Sequence, residues 1–157
     1  VKSKLLLFGL FVFTIVSDQI SKIIVSSTFD LYDKKIIISN ILYLSYIKNK
    51  GAAFGLSVGH PLIMLTITIL IILILGYLFL KGKIFPDTVL CKIGMVLVLG
   101  GAVGNLIDRI RMMEVIDFID MGIGRYRWPT YNFADIYVTV GMFILIFFYA
   151  LKTEPQE

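Results

Sequence analysis

Four stretches of this chain are apolar almost without interruption, and two polar stretches divide them. Leu5 to about Val25, Pro61 to Leu80, Val89 to about Ile107 and Asn132 to Leu151 are the apolar runs. Each is long enough to cross a hydrocarbon core of about 30 Å as a helix, which predicts four membrane spans. Pro61 suits a first helical turn, and Asn132-Phe-Ala-Asp135 has the spacing of a capping box. The intervening segments 26–60 and 108–131 carry charge and turn signals. Within the first, Lys35-Ile-Ile-Ile-Ser and Leu42-Tyr-Leu-Ser-Tyr-Ile read as strands. The pattern predicts an all-α membrane protein: four transmembrane helices in one domain over residues 1–157, a small β platform on the membrane surface, and a short surface helix or loop.

Composition agrees. Hydrophobic residues make up 58% of the 157, and the mean hydropathy is +0.90. The first apolar run is too long, and too polar at its end, for a simple cleaved leader, so it reads as a span. A net charge of +4 says little about partners, because basic residues at helix edges ordinarily meet headgroups, and no nucleic-acid-binding face is evident. Four spans put both termini and the turn after Leu80 on one side, and both polar segments on the other. Lys2, Lys4, Lys81, Lys83, Lys92 and Lys152 fall on the terminal side. Lys34, Lys35, Lys48, Lys50, Arg109, Arg111, Arg125 and Arg127 fall opposite, so the positive-inside count does not favour cytoplasmic termini.

Acidic residues among greasy neighbours are candidates for function, because ionised groups at membrane depth are costly. Asp108, Glu114, Asp117, Asp120 and Asp135 crowd into residues 108–135. Asp135 has a structural reason to be there, as a helix cap. Asp108 falls at the expected end of the third span, where Arg109 and Arg111 suit the helix terminus; Arg111 is placed to pair with it, and Asn105 one turn earlier to join it. Glu114 reads as exposed. Asp120 shares a helical face with Asp117 at i+3 but precedes Met-Gly-Ile-Gly, which suggests water or a turn. Asp117, flanked by Val115-Ile and Phe-Ile, has no such reason. Asp18 and Lys22, spaced i,i+4, read as a pair at a helix end with the lysine reaching to the interface. Gly100 and Gly104 read as a helix-packing seam, and Gly51 and Gly55 as points of close backbone approach.

The chemistry that fits is two carboxyls sharing a proton: one takes a proton from water while the other polarises a scissile carbonyl. Competing mechanisms find little support. The single Cys91 and single His60 cannot make the common zinc sets, although carboxylates could hold a hard cation. No GxSxG is present; Ser17 and Ser21 near Lys22 leave Ser–Lys chemistry open. A non-enzymatic ion path would spread its acids through the membrane depth, whereas these cluster at one face.

Five pieces of the chain together resemble lipoprotein signal peptidase, or signal peptidase II. They are Asp18-Gln-Ile-Ser-Lys22, Asn49-Lys-Gly-Ala-Ala-Phe-Gly55, Gly104-Asn-Leu-Ile-Asp-Arg109, Val115-Ile-Asp117-Phe118, and Phe133-Ala-Asp135 after Asn132. The resemblance implies a bacterial inner-membrane aspartic endopeptidase without cofactor or metal. It would remove the signal peptide from diacylglyceryl-modified prolipoproteins just before the lipidated cysteine. It further implies cytoplasmic termini, an extracytoplasmic platform, an active site toward the outer leaflet, inhibition by cyclic peptides such as globomycin, and function as a monomer. Asp117 and Asp135 would be catalytic. Asn49, Gly51, Asn105, Asp108, Arg109 and Asn132 would line or support the site, with Asp18 and Lys22 structural.

Overall fold

The computed structural model describes residues 2–53, 56–57, 60–81 and 85–152. Four helices are long and apolar enough to cross a membrane: α1 (Lys2–Thr28), α2 (Pro61–Lys81), α3 (Val89–Met112) and α4 (Phe133–Lys152). Strands β1 (Lys34–Ile38) and β2 (Leu42–Asn49) follow α1. A two-residue pair, β3 (Ala52–Ala53) and β4 (Leu56–Ser57), leads toward α2. Strands β5 (Val115–Ile123) and β6 (Tyr126–Arg127) lie between α3 and α4. Phe54 and Gly55 of the glycine-rich motif lie outside the described residues.

Helix ends carry their own signals. The Thr88 side chain accepts from the Cys91 amide at 3.2 Å to start α3, and Met113, in the left-handed region at φ 58°, ends it by donating to the Arg109 carbonyl. At α4 the capping box forms in both directions: the Asp135 amide donates to Asn132 Oδ1 at 3.0 Å, and the Asn132 amide donates to Asp135 Oδ2 at 3.1 Å.

α3 is the central helix. It buries Cys91, Met95, Val96, Val98, Asn105 and Asp108 together with four glycines, whereas α2 buries none of its residues. The glycines divide the work. At Gly100 a Cβ would run into Thr14 of α1, and at Gly104 into Asp18 of α1; at Gly101 it would meet Ala134 and Val138 of α4. The seam over Gly100 and Gly104 therefore sets how closely α1 approaches, and Gly101 sets α4. Gly101→Val is expected to cost about 2 kcal/mol through overpacking. Gly9→Val, with nothing within 4 Å of its Cβ position, should leave thermal unfolding in detergent unchanged. Equal melting temperatures for the two variants would contradict this packing.

The segment 108–131 departs from expectation. It is neither a surface helix nor a loop: α3 continues five residues past Ile107, and Val115–Ile123 then forms the longest strand. The four-stranded sheet runs β1-β2-β5-β6, all antiparallel, so both polar segments build it. The reason is local. Val115-Ile-Asp-Phe-Ile is β-branched and aromatic, and β2 offers an edge on which its amides and carbonyls pair. A bulge in β2 between Leu44 and Ile47 adjusts the register. Val25, Ile116, Phe118 and Ile119 form the core that seats the sheet against α1, with Ile136 packed on it.

Candidate active site

Asp117 is 3% exposed on β5. Its Oδ2 accepts from Asn49 Nδ2 of β2 at 2.8 Å and its Oδ1 from Asn132 Nδ2 at 2.7 Å. Asp135, half-buried in the first turn of α4, accepts from Asn105 Nδ2 of α3 at 2.8 Å as well as from the Asn132 amide. Asn132 is fully buried and links the two: its amide hydrogen serves Asp135, while its side-chain NH2 serves Asp117, Asn105 Oδ1 and the Ile116 carbonyl. Burial pushes the Asp117 carboxyl up, the charge of Asp135 adds to the rise, and the bonds from Asn49 and Asn132 offset only part of it. The group settles at about 7.

Asn49 is oriented in turn by Gly51, whose amide donates to Asn49 Oδ1 at 2.8 Å. Gly51 has φ 105°, and a Cβ there would come within 2.5 Å of Met64 on α2. Only glycine fits both conditions.

Both carboxylates open on a cavity of about 720 Å³. Its lining is otherwise mostly apolar: Ile41, Met121, Ile123 and Trp128 from the sheet side, Ile136 and Val140 from α4. A ligand that is mostly apolar and carries a polar group for Asp117 and Asp135 suits this lining.

A family model described as signal peptidase (SPase) II matches residues 10–151. The chain belongs to the signal peptidase II family. It is 38% identical to the lipoprotein signal peptidase of Moorella thermoacetica over 153 residues, covering 96% of this chain and 95% of that one. It is also 38% identical to that of Syntrophus aciditrophicus over 134 residues, 82% of each chain. Among solved structures, a bacterial membrane enzyme determined by the in meso method at 2.3 Å resolution superposes with a TM-score of 0.84 at 32% identity, over 96% of this chain and 91% of that one.

In this signal peptidase II chain Asp18, Lys22, Asn105 and Asp108 form one buried network beside the Asp117–Asp135 pair. Lys22 is 2% exposed, enclosed by protein rather than reaching outward; α1 runs on to Thr28, so the Asp18–Lys22 pair is not at a helix end. Its ammonium meets Asp18 Oδ2 at 2.8 Å, Asp108 Oδ2 at 2.9 Å and Asn105 Oδ1 at 3.0 Å, three acceptors for three N–H bonds. Lys22, rather than the exposed Arg111, is the partner of Asp108. Asp18 Oδ1 accepts from the Ala134 amide at 3.0 Å and so holds the first turn of α4; Asp108 Oδ2 takes the Ile116 amide at 3.3 Å and holds the start of β5. Arg109 donates to the Asn105 carbonyl at 3.4 Å. Ser21 donates to the Asp18 carbonyl and Ser17 bonds Tyr137, so among the described residues neither engages Lys22.

Three acids, Asp117, Asp120 and the supposedly exposed Glu114, differ from expectation. Asp117 and Asp120 lie on a strand, where three residues span about 10 Å, and not on one helical face. They therefore take separate partners. Asp120 is 2% exposed and meets neither water nor a turn: Lys34 Nζ lies at 2.9 Å and Arg127 Nε at 2.8 Å. Burial would raise its carboxyl, but hydrogen bonds and charge from Lys34 and Arg127 outweigh that and hold it below its ordinary value. Glu114 is half-buried, 3.7 Å from Lys50. Gln19, an amide that no sequence motif explains, donates to Asp18, Asp108 and the Gly104 carbonyl. An amide inside an apolar helix was the available signal.

Proposed function

We propose that this chain is an aspartic endopeptidase of the membrane that removes the signal peptide from diacylglyceryl-modified bacterial prolipoproteins, cutting just before the lipidated cysteine. The observation that carries the proposal is the joining of Asp117 and Asp135 through Asn132 in the lining of a mostly apolar cavity. Asp117, raised by burial and by its partner, is the carboxyl that holds a proton near neutrality. Asp135, in the first turn of α4 and accepting from the Asn132 amide and from Asn105 Nδ2, is the partner to which the role of base falls. With a substrate carbonyl between them, Asp117 donates to the carbonyl oxygen as Asp135 takes a proton from the attacking water, giving a tetrahedral diol. Asp135 then gives its proton to the leaving amine nitrogen while Asp117 takes one back from a hydroxyl of the diol; the C–N bond breaks, leaving an acid and an amine, and the pair is restored. Neither step needs a metal or a cofactor.

The apolar cavity suits a substrate that arrives from lipid, and contacts made far from the reacting bond hold that bond in place. We place both termini in the cytoplasm of a bacterial cell, the chain in the inner membrane, and the site toward the outer leaflet, and we take the working unit to be a monomer. Cyclic peptides such as globomycin would occupy the same cavity.

The test is a purified chain in detergent or lipid, given a diacylglyceryl-modified prolipoprotein peptide. Mass spectrometry is expected to find two products, the second beginning at the lipidated cysteine. An intact substrate, or cleavage elsewhere, would refute the assignment.

A further inference from the structure

Arg127 makes more specific contacts than a surface arginine on a two-residue strand requires. Its Nε donates to the buried Asp120 carboxylate at 2.8 Å, and its Nη2 donates to the Asp120 carbonyl at 2.6 Å. The same guanidinium reaches the carbonyls of Asn40 and Ile41 at 3.4 Å, in the turn between β1 and β2, and lies 4.3 Å from the ring centroid of Tyr43 on β2. Lys34 of β1 closes the other side of Asp120. One planar group thus staples three places in the sheet: the β1–β2 turn, β2 and β5. Backbone bonds from Gly122 to Ile41 and from Gly124 to Asn40 run alongside it.

What these segments carry matters for the site. Ile41, Met121, Ile123 and Trp128 make the sheet-side wall of the cavity that Asp117 and Asp135 open on. Ile41, Ile123 and Trp128 are 47%, 82% and 69% exposed, large apolar groups with little protein over them. Ile41 is held through its own carbonyl by Arg127, and Trp128 is the next residue along the chain. We propose that Arg127 is a positioning residue for substrate binding: the Arg127–Asp120 staple holds the Ile41–Trp128 wall in the place where the substrate packs. This rests on the peptidase reading above. The staple touches neither carboxylate of the pair, so its effect falls on binding and leaves the chemical step intact.

Steady-state kinetics on the full chain in detergent, with a lipid-modified prolipoprotein peptide, test it. Arg127→Met is expected to raise KM about tenfold with kcat within about twofold, the signature of binding lost equally from ground and transition states. Trp128→Ala should raise KM alone, and the double variant should show less than the product of the two single effects, since both act through one wall. If Arg127→Met does not accumulate folded, Arg127→Lys serves. It keeps a charge for Asp120 but cannot bond Asn40 and Ile41 in parallel, and its KM should rise several-fold. An unchanged KM, a fall in kcat alone, or independent multiplying effects of Arg127 and Trp128 would overturn the proposal while leaving the peptidase assignment standing. A wild-type chain that does not cleave the peptide would overturn both.

Discussion

Asp117→Asn is expected to lower prolipoprotein cleavage by about 10³-fold or more, the scale of a lost general acid or base. The substitution is nearly isosteric. One side-chain oxygen remains to accept from Asn49 or Asn132 and the other amide is left without its acceptor, so folding should lose about 1–3 kcal/mol, much less than the activity does. Asp135→Asn is expected to match it, and the double variant to be no worse than either single one, because the two carboxyls act as a unit. The pH profile separates the roles. Asp117 is useful as an acid only while protonated, and its carboxyl is held up at about 7. Wild-type activity should therefore persist below that value and fall as pH rises through it. In Asp117→Asn the side chain is neutral at every pH, so any residual rate should lack that falling limb. A folded Asp117→Asn chain that cleaves at the wild-type rate would end the aspartic assignment.

The largest stability effect is expected at Lys22→Met. The ammonium sits among Asp18, Asp108 and Asn105, with both carboxylates at 1% exposure or less. Removing it leaves two buried acids without their cation, and breaking a buried pair from one side costs about 3–5 kcal/mol. For a chain of this length that corresponds to a melting temperature about 10 °C lower. Activity should fall as well. Asn105 joins Lys22 to Asp135, Asp18 holds the Ala134 amide at the start of α4, and Asp108 holds the Ile116 amide beside Asp117. Adding Asp108→Asn to Lys22→Met should recover part of the loss, because one uncompensated charge is removed. An unchanged melting temperature for Lys22→Met in detergent would show that the cluster is not stabilising.

Much of the site was legible because its residues stand out against an apolar background. Asp18, Lys22, Asn105, Asp108 and Asp117 are polar where hydropathy predicts lipid or core, and such groups must find partners. The capping box could be read from four consecutive residues, since its bonds are local. Reading failed where the partner was distant in the chain. The i,i+4 spacing of Asp18 and Lys22 is a pair in sequence, yet Asp108, 86 residues beyond Lys22, decides that the lysine stays buried. Asp120 looked solvated because Met-Gly-Ile-Gly follows it. Lys34 and Arg127 reach it only once β1, β2, β5 and β6 lie side by side.

By itself, then, the sequence determined that four apolar helices form, where α2 and α4 begin, and which acids need a reason to exist, because hydropathy and capping act over one or two turns. Its five motifs also carried the family. Tertiary structure alone decided that 115–123 is a strand, since a short apolar run becomes a helix or a strand according to the edge available to it, and here β2 supplies that edge. It decided, too, that Asn132 joins Asp117 to Asp135. Asp117 is 15 residues from Asn132 along the chain, and no periodicity spans a strand, a turn and a helix cap. Only the antiparallel pairing of β5 with β2, closed against the start of α4, brings the two carboxyls to one cavity.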